Sequence, residues 1–194
     1  MNVYIVDDDE DIIDTLKYQI EDLGYEVVAF NSALPFMKVH ADLPSGCVVL
    51  DYKMPVMDGL MVQKHLSEAK SAHAVILVTG FGDIPEAVAA MRAGAIDVLR
   101  KPFRQAELRE ALSRAEAKLT GLERFEALGH LSNRERQVLL GLAAGRTSKA
   151  IAEELGISTR TVDVHRASML KKLRVPNTGA ALVLAQQGGL LPNS

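Results

Sequence analysis

The sequence predicts an α/β protein with a doubly wound, five-stranded parallel sheet, followed by a small all-α domain of four helices. In about the first two thirds of the 194 residues, short apolar runs alternate five times with segments of helical spacing, which is typical of a parallel sheet covered by helices on both faces. The remainder shows helical spacing only. The charge changes at the same place, because residues 1–118 carry 12 Lys/Arg and 19 Asp/Glu whereas residues 131–194 carry 9 and 4.

Each predicted strand is a short run of apolar, often β-branched residues. The clearest run, Val-Val-Leu at residues 48–50, contains no polar residue and therefore predicts a strand buried on both faces. It leads directly into Asp51, and Pro55 breaks the chain soon afterwards, so we expect a loop there. The predicted strands cover residues 2–6, 25–30, 48–50, 74–78 and 95–99.

The predicted helices of the first part follow these strands in turn. Ile13, Leu16 and Ile20 recur at helical spacing, and Gly24 ends that first helix. The first helix is predicted at residues 11–22, and the second begins after a cap at residues 31–32. The other three are predicted at residues 59–69, at residues 84–93, and from about residue 104 toward residue 122.

The last part of the chain begins with a capping box, in which Ser132 and Glu135 satisfy each other's backbone amides at the start of a helix. Gly145 ends that helix, and Gly156 makes a tight turn between the next two. The four predicted helices cover residues 133–144, 147–155 and 159–173, and about 177–187.

The patterning also predicts where the domains begin and end. Residues 119–130 show little periodicity, and we interpret them as a partly helical linker between a domain at residues 1–118 and a second at residues 131–194. The first domain is acidic and the second is basic, so we expect different partners, with nucleic acid a candidate for the second.

Several classes of protein are not supported by the composition. No apolar run approaches the length of a membrane span, and the amino terminus becomes acidic at once, unlike a signal peptide. The single Cys47 allows neither an intramolecular disulfide nor a cysteine zinc cluster. We therefore expect a cytoplasmic protein without a membrane partner.

Acidic residues follow two strands that a doubly wound sheet makes neighbours. Asp7 and Asp8 follow the first strand and Asp51 the third, so we expect the three carboxylates to meet at the sheet edge where such folds bind ligands. They offer oxygen ligands only, which favours Mg²⁺. Thr79 and Lys101 end the fourth and fifth strands and bring a hydroxyl and an ammonium to the same edge. This set suits acceptance of a phosphoryl group by a carboxylate.

The first domain resembles the receiver domain of two-component response regulators, whose fold is flavodoxin-like. The resemblance covers about residues 1–120 and rests on Asp7-Asp8, Asp51 with Met54-Pro55 and Asp58-Gly59, Thr79, and Lys101-Pro102-Phe103. It implies that a sensor histidine kinase phosphorylates Asp51. It also implies that Asp8, Asp51 and the backbone carbonyl of Lys53 bind Mg²⁺, with Asp7 acting through water, and that Thr79 and Lys101 hold the phosphoryl oxygens.

One position departs from the family pattern. Receivers usually carry an aromatic residue three places before the lysine, and here that position is Val98. Our hypothesis is that switching relies on Thr79 and the loop after it, with Phe81 in place of the missing aromatic. Lys53 and Phe81 also occupy the positions that set the lifetime of the phosphoryl group in this family.

The second domain resembles the LuxR-type helix-turn-helix, over about residues 131–190, in the subclass joined to receivers. A helix, a tight turn and a helix with exposed basic residues form the helix-turn-helix arrangement, whose last helix lies in the major groove of DNA. We expect Val162, Met169 and Leu173 to face inward. The resemblance implies base-facing positions at Asp163, Val164 and Ala167. It also implies cations available to phosphates at Lys149, Arg160, Arg166 and Lys171, with contact of Arg160 or Arg166 with a base left open.

Two expectations follow for this domain. Asp163 could accept a hydrogen bond from cytosine N4, in which case its removal would relax preference at one base pair. The last helix is apolar on more than one face, so a surface around Ala180, Val183 and Gln187 could meet a second copy of the chain, and a two-fold dimer would match an inverted-repeat DNA site.

The function we predict is a DNA-binding response regulator that acts as a homodimer when phosphorylated and contacts the transcription machinery. It is not an enzyme, apart from slow loss of its own phosphoryl group. Two alternatives remain open. A phosphohydrolase would need an acid two residues after Asp51, where Lys53 stands. A regulator that no longer uses phosphorylation is suggested by Val98.

Overall fold

A computed structural model describes residues 1–80 and 84–191, without the side chains of Ile84 and Glu86. The chain divides into two compact units, Met1–Thr120 and Gly121–Ser194, which are described separately. None of the helices in the described ranges is both long enough and apolar enough to cross a membrane.

The first unit is built on a five-stranded, all-parallel sheet with the strand order β2-β1-β3-β4-β5. The strand β1 lies between β2 and β3 and pairs with both, as a doubly wound sheet requires. The elements are β1 Asn2–Val6, α1 Glu10–Asp22, β2 Glu26–Phe30, α2 Ala33–Val39, β3 Gly46–Asp51, α3 Gly59–Glu68, β4 Ala74–Thr79, α4 Ile84–Arg92, β5 Asp97–Arg100 and the start of α5 Gln105–Gly129.

Both faces of this sheet are covered by apolar side chains, because alternate residues of each strand point to opposite faces. One face packs β1, β3 and β4 against α1 and α5, with Leu16 and Leu112 among its buried residues. The other face packs the same strands against α2 and α3, with Phe36 and Val62 fully buried. All six residues of β3 are buried, which confirms the expectation of a strand enclosed on both sides.

The structure differs from the predicted bounds at two places that matter. The fifth strand begins at Asp97 rather than at Ala95, because the Ala95 amide donates to Ala90 at the end of α4. Helix α5 continues to Gly129, well beyond residue 122. Residues 119–130, which we interpreted as a partly helical linker, are therefore helical as far as Gly129.

The second unit is helical, as its periodicity predicts. The bounds are α6 Asn133–Ala143, α7 Ser148–Leu155, α8 Thr159–Lys172 and α9 Thr178–Gln187. The capping box at Ser132 and Glu135 is formed, and Gly156 ends α7 in the left-handed conformation with φ 67°, which favours glycine. Val162, Met169 and Leu173 are fully buried, confirming the inward stripe of α8.

Gly59 fixes the start of α3 against the carboxyl end of β3. A Cβ atom at this position would lie 2.3 Å from the Asp51 carbonyl oxygen and 3.0 Å from Leu77 Cδ1. The Gly59 amide also donates to the Tyr52 carbonyl at 2.9 Å, and the Asp58 side chain caps the helix at the Met61 amide. The helix and the strand therefore meet backbone to backbone.

We predict that Gly59→Ala destabilises the first unit by about 1–3 kcal/mol, because the added methyl group overlaps backbone that cannot move aside cheaply. Urea denaturation of the full chain, with hydrogen exchange of the β3 amides reporting on this unit, measures the effect. Gly121→Ala is the matched control, since its Cβ would meet nothing within 4 Å and alanine favours a helix by roughly 0.5–1 kcal/mol. Unchanged exchange in Gly59→Ala would contradict the close packing.

Candidate functional site

Three carboxylates meet at the carboxyl edge of the sheet. Asp7 follows β1, Asp51 ends β3 and Asp8 lies beside Asp7, with one oxygen of each within 4.8 Å of the others. Asp7 and Asp51 are buried, with 2% and 7% of their surface exposed, whereas Asp8 is exposed. We call Asp7, Asp8, Asp51 and Lys101 the acidic site.

Lys101 is the cation of the acidic site. Its Nζ lies 2.8 Å from Asp7 Oδ2 and 2.5 Å from Asp51 Oδ1. The Lys101 amide donates to the Thr79 carbonyl at 2.7 Å, so β4 holds the backbone from which the side chain extends. The ammonium therefore bridges two buried carboxylates that would otherwise repel each other.

These surroundings shift the ionisation of both partners. Burial raises the pKa of Asp51, and the nearby Asp7 raises it further, while the hydrogen bond from Lys101 opposes the rise. Burial acts to lower the pKa of Lys101, but its hydrogen bonds to Asp51 and Asp7 outweigh that effect and leave the pKa raised. Lys101 therefore stays protonated, and Asp51 is a more basic carboxylate than an ordinary aspartate.

Backbone amides orient the two buried carboxylates. The Lys53 amide donates to Asp51 Oδ2 at 2.7 Å, and the Asp9 amide donates to Asp7 Oδ1 at 3.0 Å. The three carboxylates supply oxygen ligands only, on the side of the sheet edge that Asp8 leaves open to solvent. This donor set fits a small hard cation such as Mg²⁺, which keeps several waters.

Two residues that the switching hypothesis concerns, Thr79 and Val98, lie on the neighbouring strands β4 and β5. Thr79 ends β4 with 3% of its surface exposed, and its hydroxyl donates to the Gly80 carbonyl at 3.4 Å. Val98 pairs with Leu77 across β4 and β5 and packs against the apolar cluster of the α2–α3 face. Phe81 lies outside the described residues, so its predicted role is untested.

The outer surface of α8 carries the side chains predicted to face DNA. Asp163, Val164 and Ala167 are exposed, and Arg166 is half-buried. Arg160, Lys149 and Lys171 are also exposed, which is the condition for reaching phosphates.

Asp163 is engaged within the protein. Its Oδ1 accepts from the Ser148 hydroxyl at 3.3 Å and lies 3.3 Å from Arg166 Nη2. Arg166 Nη1 donates to the Ser148 hydroxyl oxygen at 3.5 Å. The side chain predicted to read a cytosine thus forms a three-residue cluster with the first residue of α7 and a cation of its own helix.

The predicted dimer surface lies on α9. Val183 and Gln187 are exposed, and Ala180 is partly exposed. An apolar groove of about 430 Å³ lies between α6 and α9, with Val183, Leu140 and Leu182 among its lining residues. An exposed apolar side chain beside an apolar groove is a feature of partner surfaces.

Glu135 links the start of α6 to α8 and is the main residue whose role the sequence did not reveal in full. Besides the Ser132 amide at 2.8 Å, its carboxylate accepts from Lys172 at 2.7 Å and Ser168 at 2.8 Å. Burial opposes ionisation, but these hydrogen bonds outweigh it and lower the pKa of Glu135 to about 2. The capping box was visible in the sequence, whereas the partners on α8 lie more than 30 residues away.

Ser148 was also missed, because nothing in the local pattern distinguishes it from an ordinary helix-start serine. Its contact with Asp163 spans 15 residues and depends on how α7 and α8 cross. The helix-turn-helix spacing itself was the signal that could have indicated such a pair.

Two family models match the chain. One describes the response regulator receiver domain and matches residues 3–113. The other describes bacterial regulatory proteins of the luxR family and matches residues 129–185. Together they cover both of the units into which the structure divides.

Similar proteins match over nearly the whole length. The transcriptional regulatory protein FixJ of Bradyrhizobium diazoefficiens is 35% identical and is matched over 98% of this chain and 97% of its own. FixJ of Rhizobium meliloti is 37% identical, with 98% of both chains covered. The response regulator protein TmoT of Ectopseudomonas mendocina is 40% identical over 89% of this chain and 82% of its own.

Solved structures give the same result. Full-length FixJ from B. japonicum superimposes with a TM-score of 0.60 at 34% identity, covering 98% of each chain. The response regulator StyR superimposes with a TM-score of 0.56 at 34% identity, covering 96% of this chain and 98% of its own. The predicted fold class is confirmed by these likenesses.

We predict that Glu135→Gln weakens the second unit by about 2–3 kcal/mol at pH 7, since one pKa unit corresponds to about 1.4 kcal/mol. The folded pKa lies below the ordinary value of 4.5, so the stabilisation is complete above about pH 4.5 and is lost as the pH falls toward 2. Hydrogen exchange of α6 and α8 at pH 7 and pH 3 should show a difference between variant and wild type that shrinks at the lower pH. Glu153→Gln, at an exposed position of α7, is the control. A difference independent of pH would contradict the role of the charge.

Proposed function

Since the chain belongs to the response regulators that join a receiver domain to a LuxR-type DNA-binding domain, and is thus a transcription regulator of a two-component system, we propose that Asp51 is its phosphoacceptor. We further propose that phosphorylation of Asp51 by a sensor histidine kinase controls DNA binding by the second unit. The domain limits that we propose are residues 1–118 and 131–194, with the connecting residues 119–130 within and just after α5.

One observation carries this proposal: the buried carboxylate of Asp51 lies at a strand end, 2.5 Å from the Lys101 ammonium and beside two further carboxylates. A structural ion pair needs one acid and one base. Here a cation and three acids converge at the ligand-binding edge of a doubly wound sheet, and the nucleophile is positioned by the Lys53 amide. Such convergence is typical of a reacting centre.

The step proposed for Asp51 is a direct phosphoryl transfer. A carboxylate oxygen of Asp51 forms the new P–O bond while the P–N bond of the kinase phosphohistidine breaks, and the departing imidazole nitrogen takes up a proton. The raised pKa of Asp51 makes its carboxylate the better nucleophile. We propose that the Lys101 ammonium and the Thr79 hydroxyl, which lie at the ends of β5 and β4, donate hydrogen bonds to the phosphoryl oxygens.

Mg²⁺ is the cofactor we propose, held by Asp8, Asp51 and the Lys53 carbonyl, with Asp7 acting through water. When bound, it neutralises charge on the transferring phosphoryl group. The exposure of Asp8 leaves a path for a hydrated ion. Lys101 would then exchange part of its contact with Asp51 for contact with the phosphoryl oxygens.

The output we propose is binding of duplex DNA through α8, in the cytoplasm, together with dimerisation and contact with the transcription machinery. Asp163, Val164 and Ala167 are the groove-facing positions, and Arg160, Lys149, Lys171 and Arg166 the phosphate-facing cations. Dimerisation joins two weak half-site interactions into one strong one. We propose that the second units of two protomers contact each other through a surface around Ala180, Val183 and Gln187.

A second candidate function is regulation of transcription without phosphorylation, and Val98 favours it. A receiver with no aromatic side chain at this position lacks one element that reports the state of Asp51. Val98 packs into the apolar cluster of the α2–α3 face, so it cannot take over that movement as a polar-tipped aromatic would. Switching through Thr79 and the following loop remains our preferred proposal.

We predict that the full chain, incubated with a small acyl phosphate and Mg²⁺, gains one phosphoryl group that mass spectrometry maps to Asp51. Size-exclusion chromatography should then show a dimer, and binding to duplex DNA should strengthen. Asp51→Asn should show none of the three changes, because an amide cannot form the acyl phosphate. Asp42→Asn, at an exposed position of the same unit, is the control and should behave as wild type.

Phosphate found at another residue would contradict the assignment of Asp51. Phosphate at Asp51 with no change in size or DNA affinity, together with wild-type DNA binding by Asp51→Asn, would favour the second candidate function. Repeating the reaction with a chelator in place of Mg²⁺ tests the cofactor, and undiminished phosphorylation would exclude a metal requirement.

A further inference from the structure

Asp163 carries a charge of the opposite sign to its neighbours on α8. It is the only acid on α8, whose other charged residues are Arg160, Arg166, Lys171 and Lys172, and its side chain is 48% exposed on the outer surface of that helix. A negative charge on this surface is repelled by the phosphates of any duplex that the helix approaches. Its presence among cations therefore calls for a physical explanation.

The contacts of Asp163 supply one. Its Oδ1 atom faces both Arg166 Nη2 and the Ser148 hydroxyl, each at 3.3 Å. A guanidinium and a hydroxyl are the groups with which proteins bind phosphate oxygens. The carboxylate thus occupies, within the protein, two donors that a phosphate would otherwise use.

We infer that Asp163 is an internal competitor for the DNA backbone, which holds Arg166 and Ser148 until a duplex phosphate displaces it. This inference rests on the proposed DNA binding through α8 and deepens it. A phosphate at this place must break the contacts of Asp163 and also overcome its charge. Asp163 therefore sets a threshold that lowers affinity for every sequence alike, rather than reading one base.

The arrangement of contacts favours this role over recognition of cytosine. The distances of 3.3 Å and 3.5 Å are long, as expected for contacts that exchange readily with another anion, and Arg166 remains 39% exposed. An exposed pair of this kind contributes only about 0–1 kcal/mol. It can be displaced by a phosphate, yet it measurably reduces the strength of binding.

The test needs no knowledge of the target promoter. Fluorescence anisotropy measures binding of the full chain to a duplex of mixed sequence over a series of salt concentrations, with and without prior phosphorylation. Asp163→Asn should bind about 5-fold more tightly, and its salt dependence should steepen by about one unit per protomer, because the charge of Arg166 is no longer neutralised by a carboxylate before it meets a phosphate. The gain should appear with every duplex sequence.

Two comparisons separate this mechanism from a change in net charge. Glu153→Gln removes one exposed negative charge from α7 and should strengthen binding less than 2-fold. In an Arg166→Gln background, Asp163→Asn should have no more effect than Glu153→Gln, because the cation that it releases is absent. Circular dichroism checks that each variant is folded.

Three results would overturn the inference. The first is a gain in DNA affinity for Asp163→Asn no larger than that for Glu153→Gln. The second is an undiminished gain for Asp163→Asn in the Arg166→Gln background. The third is weaker binding by Asp163→Asn with relaxed preference at one base pair, as recognition of cytosine requires. Absence of binding to any duplex by wild type and all variants would instead contradict the proposed function itself, and the inference with it.

Discussion

The placement of one ammonium between two buried carboxylates is the interaction on which the first unit depends. Asp7 follows β1 and Asp51 ends β3, and these two strands pair with each other. The sheet itself therefore brings the two charges together. Lys101 reaches them from the end of β5 and compensates the repulsion. The fold therefore assembles the acidic site by pairing strands in this order, and the loops after those strands provide the backbone amides that orient the carboxylates.

The sequence predicted that the side chains of the acidic site would meet, because they follow apolar runs that are typical of buried strands. Strand order then required no further information, since a doubly wound sheet makes the first and third strands neighbours. The ends of the elements were predicted less well. The start of β5 depends on Ala95 completing the end of α4. The length of α5 depends on the burial of Leu119 and Leu128 by residues that lie far away along the chain.

The second unit shows the same limit more clearly. The capping box of Ser132 and Glu135 was predictable because its members are three residues apart, whereas the contacts of Glu135 with Ser168 and Lys172 depend on the packing of α6 against α8. The cluster of Asp163, Arg166 and Ser148 likewise requires the crossing of α7 and α8. Exposure along α8 followed from periodicity, but the engagement of an exposed side chain did not.

The edge strand β5 is poorly suited to pairing with a strand of another molecule. The strand β5 is only four residues long, begins with Asp97 and ends with Arg100, and Asp97 is further tied to Arg114. Short edges flanked by charge are poor templates for the addition of a strand from another molecule. This edge therefore resists the runaway addition of strands that leads to fibres, so a contact between copies at β5 would be made by side chains.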